Sequence, residues 1–240
     1  MEQKKAIIMG ASSGMGKELA KILSGNEYIV GLAARRIDLL SELQKELTNK
    51  SFIQQIDISK PEEAEIKFKQ MINEMGGVDL VVISSGYGDL NSKLKWPPEK
   101  ETIDVNVTGF ALIAGIALQH FLNRGSGHLV GISSIAALRG QRSAPAYAAS
   151  KAFVCNYLEG LRHIATKSRK PIFITDVQPG FVKTPMSRGN NLFWISTAQK
   201  AASQIYVAIA KKKKHAYITK RWRIIAWVLK IVPDWIYNKT

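Results

Sequence analysis

Tyr147 and Lys151 stand four residues apart in the stretch Tyr147-Ala148-Ala149-Ser150-Lys151. On a helix, positions i and i+4 lie on one face, a turn apart, so an ammonium comes beside a phenol. A free tyrosine titrates near about 10 and exchanges protons poorly at neutral pH. A neighbouring cation favours phenolate and turns the group into a usable general acid or base. Helices carry such pairs by chance, so the pair needs something to act on.

The N-terminus offers it. A four-residue apolar run, 6–9, leads into Gly10-Ala11-Ser12-Ser13-Gly14-Met15-Gly16 and then a helical pattern. Glycines let backbone N–H groups approach a pyrophosphate, and a helix N-terminus favours its negative charge. The spacing Gly-x-x-x-Gly-x-Gly departs from the general Gly-x-Gly-x-x-Gly fingerprint, and the plainer reading is a tight turn. About 20 residues on, an NAD site usually places an acid for the ribose. Here stand Arg35 and Arg36, whose guanidiniums suit the extra phosphate of NADP(H). Asp57 and Ile58 follow the third predicted strand, where they border an adenine, or where Asp57 caps the helix opened by Pro61.

Elements that position these residues are legible from the pattern. Strands are predicted at 6–9, 28–34, 51–56, 78–84, 127–133, 171–177 and 216–219. Helices are predicted at 16–23, 38–47, 62–75, 101–122, 146–166 and 197–210. The strict alternation calls for a single α/β domain, Rossmann-like, with a doubly wound parallel sheet. The chain has 240 residues, 46% of them hydrophobic and 22% charged, which excludes a disordered chain. Its one cysteine, Cys155, forms no internal disulfide and reads as a buried thiol. Four histidines, His120, His128, His163 and His215, show no ligand spacing, so no metal is expected. The apolar run before Gly10 is too short for a signal peptide, and no run of about 18 apolar residues occurs. The cytoplasm is the expected compartment.

Taken together, Gly10-x-x-x-Gly14-x-Gly16, Asn106, Ser134, Tyr147-x-x-x-Lys151 and the run from Pro179 to Thr184 resemble the short-chain dehydrogenase/reductase family in order and spacing. The resemblance covers residues 5 to about 219 and implies a seven-stranded parallel sheet. It implies that Tyr147 passes a proton to a carbonyl oxygen while a nicotinamide supplies hydride. Lys151 would lower the tyrosine pKa and hold the nicotinamide ribose. The family offset between serine and tyrosine selects Ser134 over Ser133 to polarise the substrate oxygen, leaving Ser133 at the strand end. Asn106 would hold a relay water, or kink its helix with its side chain satisfied by backbone. Val182 and Thr184 would bind the carboxamide, and Gly86 would leave room for the cofactor.

Two positions depart from the family pattern. Ile83-Ser84-Ser85-Gly86 replaces Asn-Asn-Ala-Gly and loses asparagine amides that brace the strands; Met9 replaces the usual threonine. Members of that family pair two long helices, here near 101–122 and 146–166, so the resemblance implies a homodimer or homotetramer.

Past Thr184, the apolar Met186, Leu192, Phe193 and Trp194 alternate with Ser187, Arg188, Gly189 and Asn190, as a mobile lid or as core closure. A lid of this kind suits an apolar ketone, aldehyde or acyl chain. Net charge is +15, and residues 211–240 hold nine Lys/Arg against one acid, Asp234. Lys211–Lys214 suit a helix C-terminus. Residues 220–240 read as a basic, aromatic helical extension to the domain at 1–219. On a helix, Trp222, Ile225, Leu229 and Val232 oppose Lys220, Arg223 and Lys230, with Trp227 interrupting the basic side. Two readings stand: an interfacial helix on an anionic membrane, at its inner face, or a lid or dimer element packed on the domain. Nucleic acid is not expected, since the aromatics build no base-stacking platform.

The sequence therefore calls for an NADP(H)-dependent carbonyl reductase. Its alternative is an NADP-binding redox-sensing or membrane-associated regulatory protein without turnover.

Overall fold

The computed structural model describes residues 3–185 and 193–237. Seven parallel strands form one sheet: β1 (Lys5–Met9), β2 (Ile29–Ala34), β3 (Ser51–Gln55), β4 (Leu80–Ile83), β5 (Gly127–Ile132), β6 (Ile172–Pro179) and β7 (His215–Ile218). Their spatial order is β3-β2-β1-β4-β5-β6-β7. Continuous apolar strands such as Leu80–Ile83, buried at every position, are what a sheet covered on both faces requires.

Helices α1 (Gly14–Gly25), α2 (Ile37–Lys45) and α3 (Pro61–Glu74) follow the first three strands. After β4 come α4 (Trp96–Ile103), a π-helical turn (Asp104–Gly109) and α5 (Phe110–Arg124). Then α6 (Pro145–Lys167) precedes β6, α7 (Ala198–Ala210) precedes β7, and α8 (Trp222–Ile231) and α9 (Asp234–Tyr237) end the described chain. One face of the sheet is covered by Phe68, Ile113, Phe121 and Leu158, from α3, α5 and α6. The other is covered by Leu19, Leu40 and Ile205, from α1, α2 and α7.

Element order agrees with the pattern, and most boundaries shift by no more than two residues. The larger difference is the predicted helix over 101–122. It starts five residues earlier, at Trp96, and contains the π turn. At that turn Gly109 presses on the chain after β3; a Cβ there would sit 2.1 Å from the Ile58 carbonyl oxygen. Residues 96–124 are the one helical stretch among those described that is long and apolar enough to cross a membrane. Ile113, Ala114, Ala117 and Phe121 on it have no exposed surface and belong to the core.

The strand order reverses between β1 and β4, which opens a crevice at the carboxyl ends of the strands. The Gly10 turn, Arg35–Arg36, Asp57, Ser84–Gly88, Ser133–Ser134 and Gly180–Thr184 all follow strand ends on that edge.

Candidate active site

Two adjoining cavities occupy the crevice. The larger, about 440 Å³, is lined by Gly10, Ser12, Ser13, Gly14, Met15, Arg35, Arg36, Asp57 and Ile58. The smaller, about 240 Å³, is lined by Ser134, Tyr147, Lys151 and Val182 among others. Met15, Ser84, Gly86, Gly88 and Thr184 line both, so the two spaces meet there.

The larger cavity fits an anionic, phosphate-bearing group. Gly10 has φ +86°, and a Cβ on it would lie 2.6 Å from the Ser85 backbone nitrogen. Gly16 lies against the same turn, where a Cβ would come within 2.3 Å of the Gly10 carbonyl oxygen. Both contacts demand glycine and bring the turn tight against β4. Ser13 is the N-cap of α1 but makes no side-chain capping bond, and the first turn holds no acid. The amides at that N-terminus therefore suit an anion. Arg36 Nη2 donates to Ser12 Oγ and Ser13 Oγ, each at 3.0 Å, which sets its guanidinium at the glycine turn. Arg35 points to Glu101 instead, at 3.5 Å. Asp57 accepts from the Ser59 amide at 3.1 Å and its hydroxyl at 2.7 Å. It thus shapes the turn before Pro61 and lines the cavity as well.

Where the cavities meet, Tyr147 comes off the first turns of α6. Ser134 and Tyr147 both line the smaller cavity, and the Ser134 hydroxyl accepts from the Ala136 amide at 3.1 Å, capping a 3-10 turn, Ile135–Leu138. That turn is absent from the sequence reading, because four apolar residues carry no periodicity. Burial raises the phenol above its ordinary pKa, and the Ser134 hydroxyl nearby pulls it back in part. Lys151, 5% exposed, donates to the Ile132 carbonyl at 3.0 Å, and its ammonium lies 5.8 Å from the Tyr147 ring centroid. Burial lowers its pKa to about 8. The expected lowering of the phenol by Lys151 is not found: Lys151 is not among the groups that shift it, and burial sets the direction.

Asn106 is 1% exposed and sits in the π turn. Its Nδ2 donates to the Tyr87 carbonyl at 2.7 Å and to Ser150 Oγ at 2.9 Å, while Oδ1 accepts from the Tyr87 amide at 2.9 Å. Ser150 in turn donates to the Tyr147 carbonyl at 2.8 Å. This side chain braces the loop after β4 against α6, at a place where the family's asparagines are missing. Ser150 and Gly88 are contributors that sequence reasoning overlooked. A Cβ on Gly88 would fall 2.5 Å from the Tyr147 ring, so this glycine lets the loop close over the phenol. Ser150's position inside the Tyr147–Lys151 motif, one helical turn from Tyr147, was the available signal.

Ser133 Oγ, at the end of β5, bonds the Asp176 carboxylate and the Val177 carbonyl, away from Tyr147. Asp176 has no exposed surface; burial pushes its carboxyl up, but bonds from His215, Ser133, Gln178 and Cys155 outweigh this and hold it low. Burial and the nearby Asp176 push Cys155 up to about 12, so it is no nucleophile at neutral pH. Among the described residues no His, Cys, Asp or Glu cluster could hold a metal.

Of the expected lid, residues 186–192, including Met186 and Leu192, lie outside the described residues. Phe193 and Trp194 are about half exposed and meet Trp222 of α8 at ring-centroid distances of 5.2 and 6.2 Å. Trp222, Ile225, Ala226 and Leu229 pack on Ile135, Leu138 and Phe181. Arg139 holds the far end of the tail, donating to the Val232 carbonyl at 2.9 Å and pairing with Asp234 at 2.6 Å. The tail is thus packed on the domain next to the smaller cavity.

Known proteins agree with this architecture. A solved short-chain dehydrogenase/reductase from Burkholderia phymatum, in complex with NAD, superimposes with a TM-score of 0.84 at 19% identity, covering 95% of this chain and 92% of that one. A short-chain dehydrogenase from Sphingobium yanoikuyae, in complex with NADPH, gives 0.81 at 18% identity, covering 96% and 97%. An uncharacterized oxidoreductase of Myxococcus xanthus is 35% identical over 196 residues, 80% of this chain and 77% of the relative. Residues 4–192 match the short chain dehydrogenase family as a whole. With that match spanning the glycine turn, the buried Asn106 and the Tyr147–Lys151 helix, the chain belongs to the short-chain dehydrogenase family, and it is an oxidoreductase of that family.

Proposed function

We propose that the protein reduces an apolar ketone, aldehyde or 3-oxoacyl carbonyl to an alcohol, using NADP(H). The observation that carries the reading is the convergence of Ser134, Tyr147 and Lys151 on the wall of the smaller cavity, where it joins the larger one. Ile132, Ile135, Ala136, Phe181 and Leu90 give that cavity its apolar lining, with Gln141 and Asp89 at polar positions.

The cofactor would supply a hydride to the carbonyl carbon. Gly10, Gly14, Gly16 and the amides of α1 suit its pyrophosphate, and Arg36, with Ser12 and Ser13 beneath it, suits a 2′-phosphate. Arg35, Asp57, Ile58 and Met15 border the same space, and Gly86, Val182 and Thr184 stand at its junction with the substrate cavity. Ser134 holds the substrate oxygen by a hydrogen bond and polarises it. Tyr147 keeps its proton at neutral pH, because burial disfavours phenolate, and gives that proton to the oxygen as the carbonyl is reduced. Lys151 stays mostly protonated at pH 7 and contributes a positive charge below the phenol. Asn106 fixes the height of α6 through Ser150.

Assembly as a homodimer or homotetramer and work in the cytoplasm accompany this reading. A spectrophotometric assay of NADPH oxidation against matched apolar and polar carbonyls tests it. Reduction confined to small polar carbonyls would overturn the substrate class, and no oxidation with any carbonyl would overturn the reaction.

A further inference from the structure

Helix α8 carries two apolar stripes where a helix lying on a soluble domain needs one. Trp222, Ile225, Ala226 and Leu229, at i, i+3, i+4 and i+7, face the domain; Trp222 and Ala226 are 2% and 1% exposed. Ile224, Trp227, Val228 and Ile231 repeat the same spacing on the opposite side and are 39–64% exposed. Trp235 and Ile236 of the following helix α9 are exposed as well, at 66% and 41%. Phe193 and Trp194 meet Trp222 of the buried stripe and are themselves 50% and 41% exposed. Lys220, Arg221, Arg223 and Lys230 of the same segment are exposed, whereas the one acid of the tail, Asp234, is paired with Arg139.

We infer that this face docks the protein on an anionic membrane surface. Tryptophans with aliphatics on one side and cations at the border are the composition of a helix lying in a lipid interface. Each cation near an anionic bilayer contributes roughly a fivefold gain in binding. A second copy of the chain is a poorer occupant, because a two-fold contact through this face would set the same four cations against each other. The face also stands on the substrate side. Trp222 packs so closely on Gly180 of the cavity wall that a Cβ there would lie 2.0 Å from the indole. Docking does not depend on the redox chemistry and would hold were Tyr147 inert.

The test is sedimentation of the full chain with vesicles of mixed phosphatidylglycerol and phosphatidylcholine, and with phosphatidylcholine alone, in about 0.1 M salt. The wild type is expected to bind the anionic vesicles at least roughly tenfold more tightly than the neutral ones. Trp227→Ser/Ile231→Ser and Arg223→Ser/Lys230→Ser should each lose roughly tenfold or more of that binding. All these side chains are exposed, and melting curves check that the fold is kept; should the first pair unfold, the charge pair decides. Wild type left in the supernatant, or variants that bind like wild type, would overturn the inference. So would a wild-type dimer that ignores vesicles and becomes monomeric in Trp227→Ser/Ile231→Ser, which would assign the face to a second copy.

Discussion

Asn106 and Ser150, joined by a 2.9 Å hydrogen bond, tie the π turn of one long helix to the helix that carries Tyr147 and Lys151. Since Asn106 also takes both the amide and the carbonyl of Tyr87, one buried side chain fixes three segments. Asn106→Ala would orphan those Tyr87 groups and the Ser150 hydroxyl's acceptor function. A buried unsatisfied polar group costs roughly 1–3 kcal/mol, so urea unfolding should show a loss of about 2–4 kcal/mol. Turnover should fall too, as α6 loses its brace.

Tyr147→Phe removes the proton and leaves the ring packed on Gly88. NADPH oxidation should drop by roughly 10²–10⁴-fold, the usual worth of a general acid, with NADPH affinity nearly unchanged. Turnover that survives the substitution would defeat the proton-donor role.

Arg36 makes its two bonds to Ser12 and Ser13 at the glycine turn, whereas Arg35 faces Glu101. Arg36→Ala should therefore weaken NADPH by roughly tenfold or more, the loss of a charge-assisted phosphate contact. NADH should be affected little. Fluorescence titration with both dinucleotides decides it; equal losses would remove the 2′-phosphate assignment.

Burial lowers the Lys151 pKa from 10.5 to about 8. Burial favours its neutral form, so the ammonium is present below pH 8 and lost above it. Turnover should decline as pH rises through about 8, measured as a pH profile of kcat at saturating cofactor. A profile flat to pH 10 would show that this charge is not needed.

His128 in β5 is 8% exposed, and burial holds its pKa near about 4 instead of 6.5. Thr175 gives its hydroxyl proton to the Lys213 carbonyl, so His128 Nε2 must donate to Thr175 Oγ1 at 2.8 Å. As pH falls from 6.5 to 4, the unfolded chain takes up this proton and the folded chain does not. Stability is then lost with falling pH, by up to about 3 kcal/mol from this residue. His128→Gln should flatten that part of the stability curve in denaturant titrations at pH 7, 5.5 and 4.

The sequence by itself determined the α/β alternation, the glycine turn with its two arginines, and the residues of the Tyr147–Lys151 motif. These are local properties: apolar periodicity, glycine spacing and side-chain chemistry are readable along the chain. The family resemblance, through its serine-to-tyrosine offset, separated Ser134 from Ser133, and the structure turns Ser133 toward Asp176. Tertiary structure alone decided what depends on distant neighbours. The π turn arises where Gly109 presses on Ile58, Arg36 and not Arg35 reaches the glycine turn, and Gly88 closes over Tyr147. It also set the direction of the phenol's titration, because burial, which no spacing records, raises its pKa. In the tail, the pattern showed apolar and basic sides but not how much of the helix the domain would cover. Packing of Trp222 on Gly180 used one stripe and left Ile224, Trp227 and Ile231 outside.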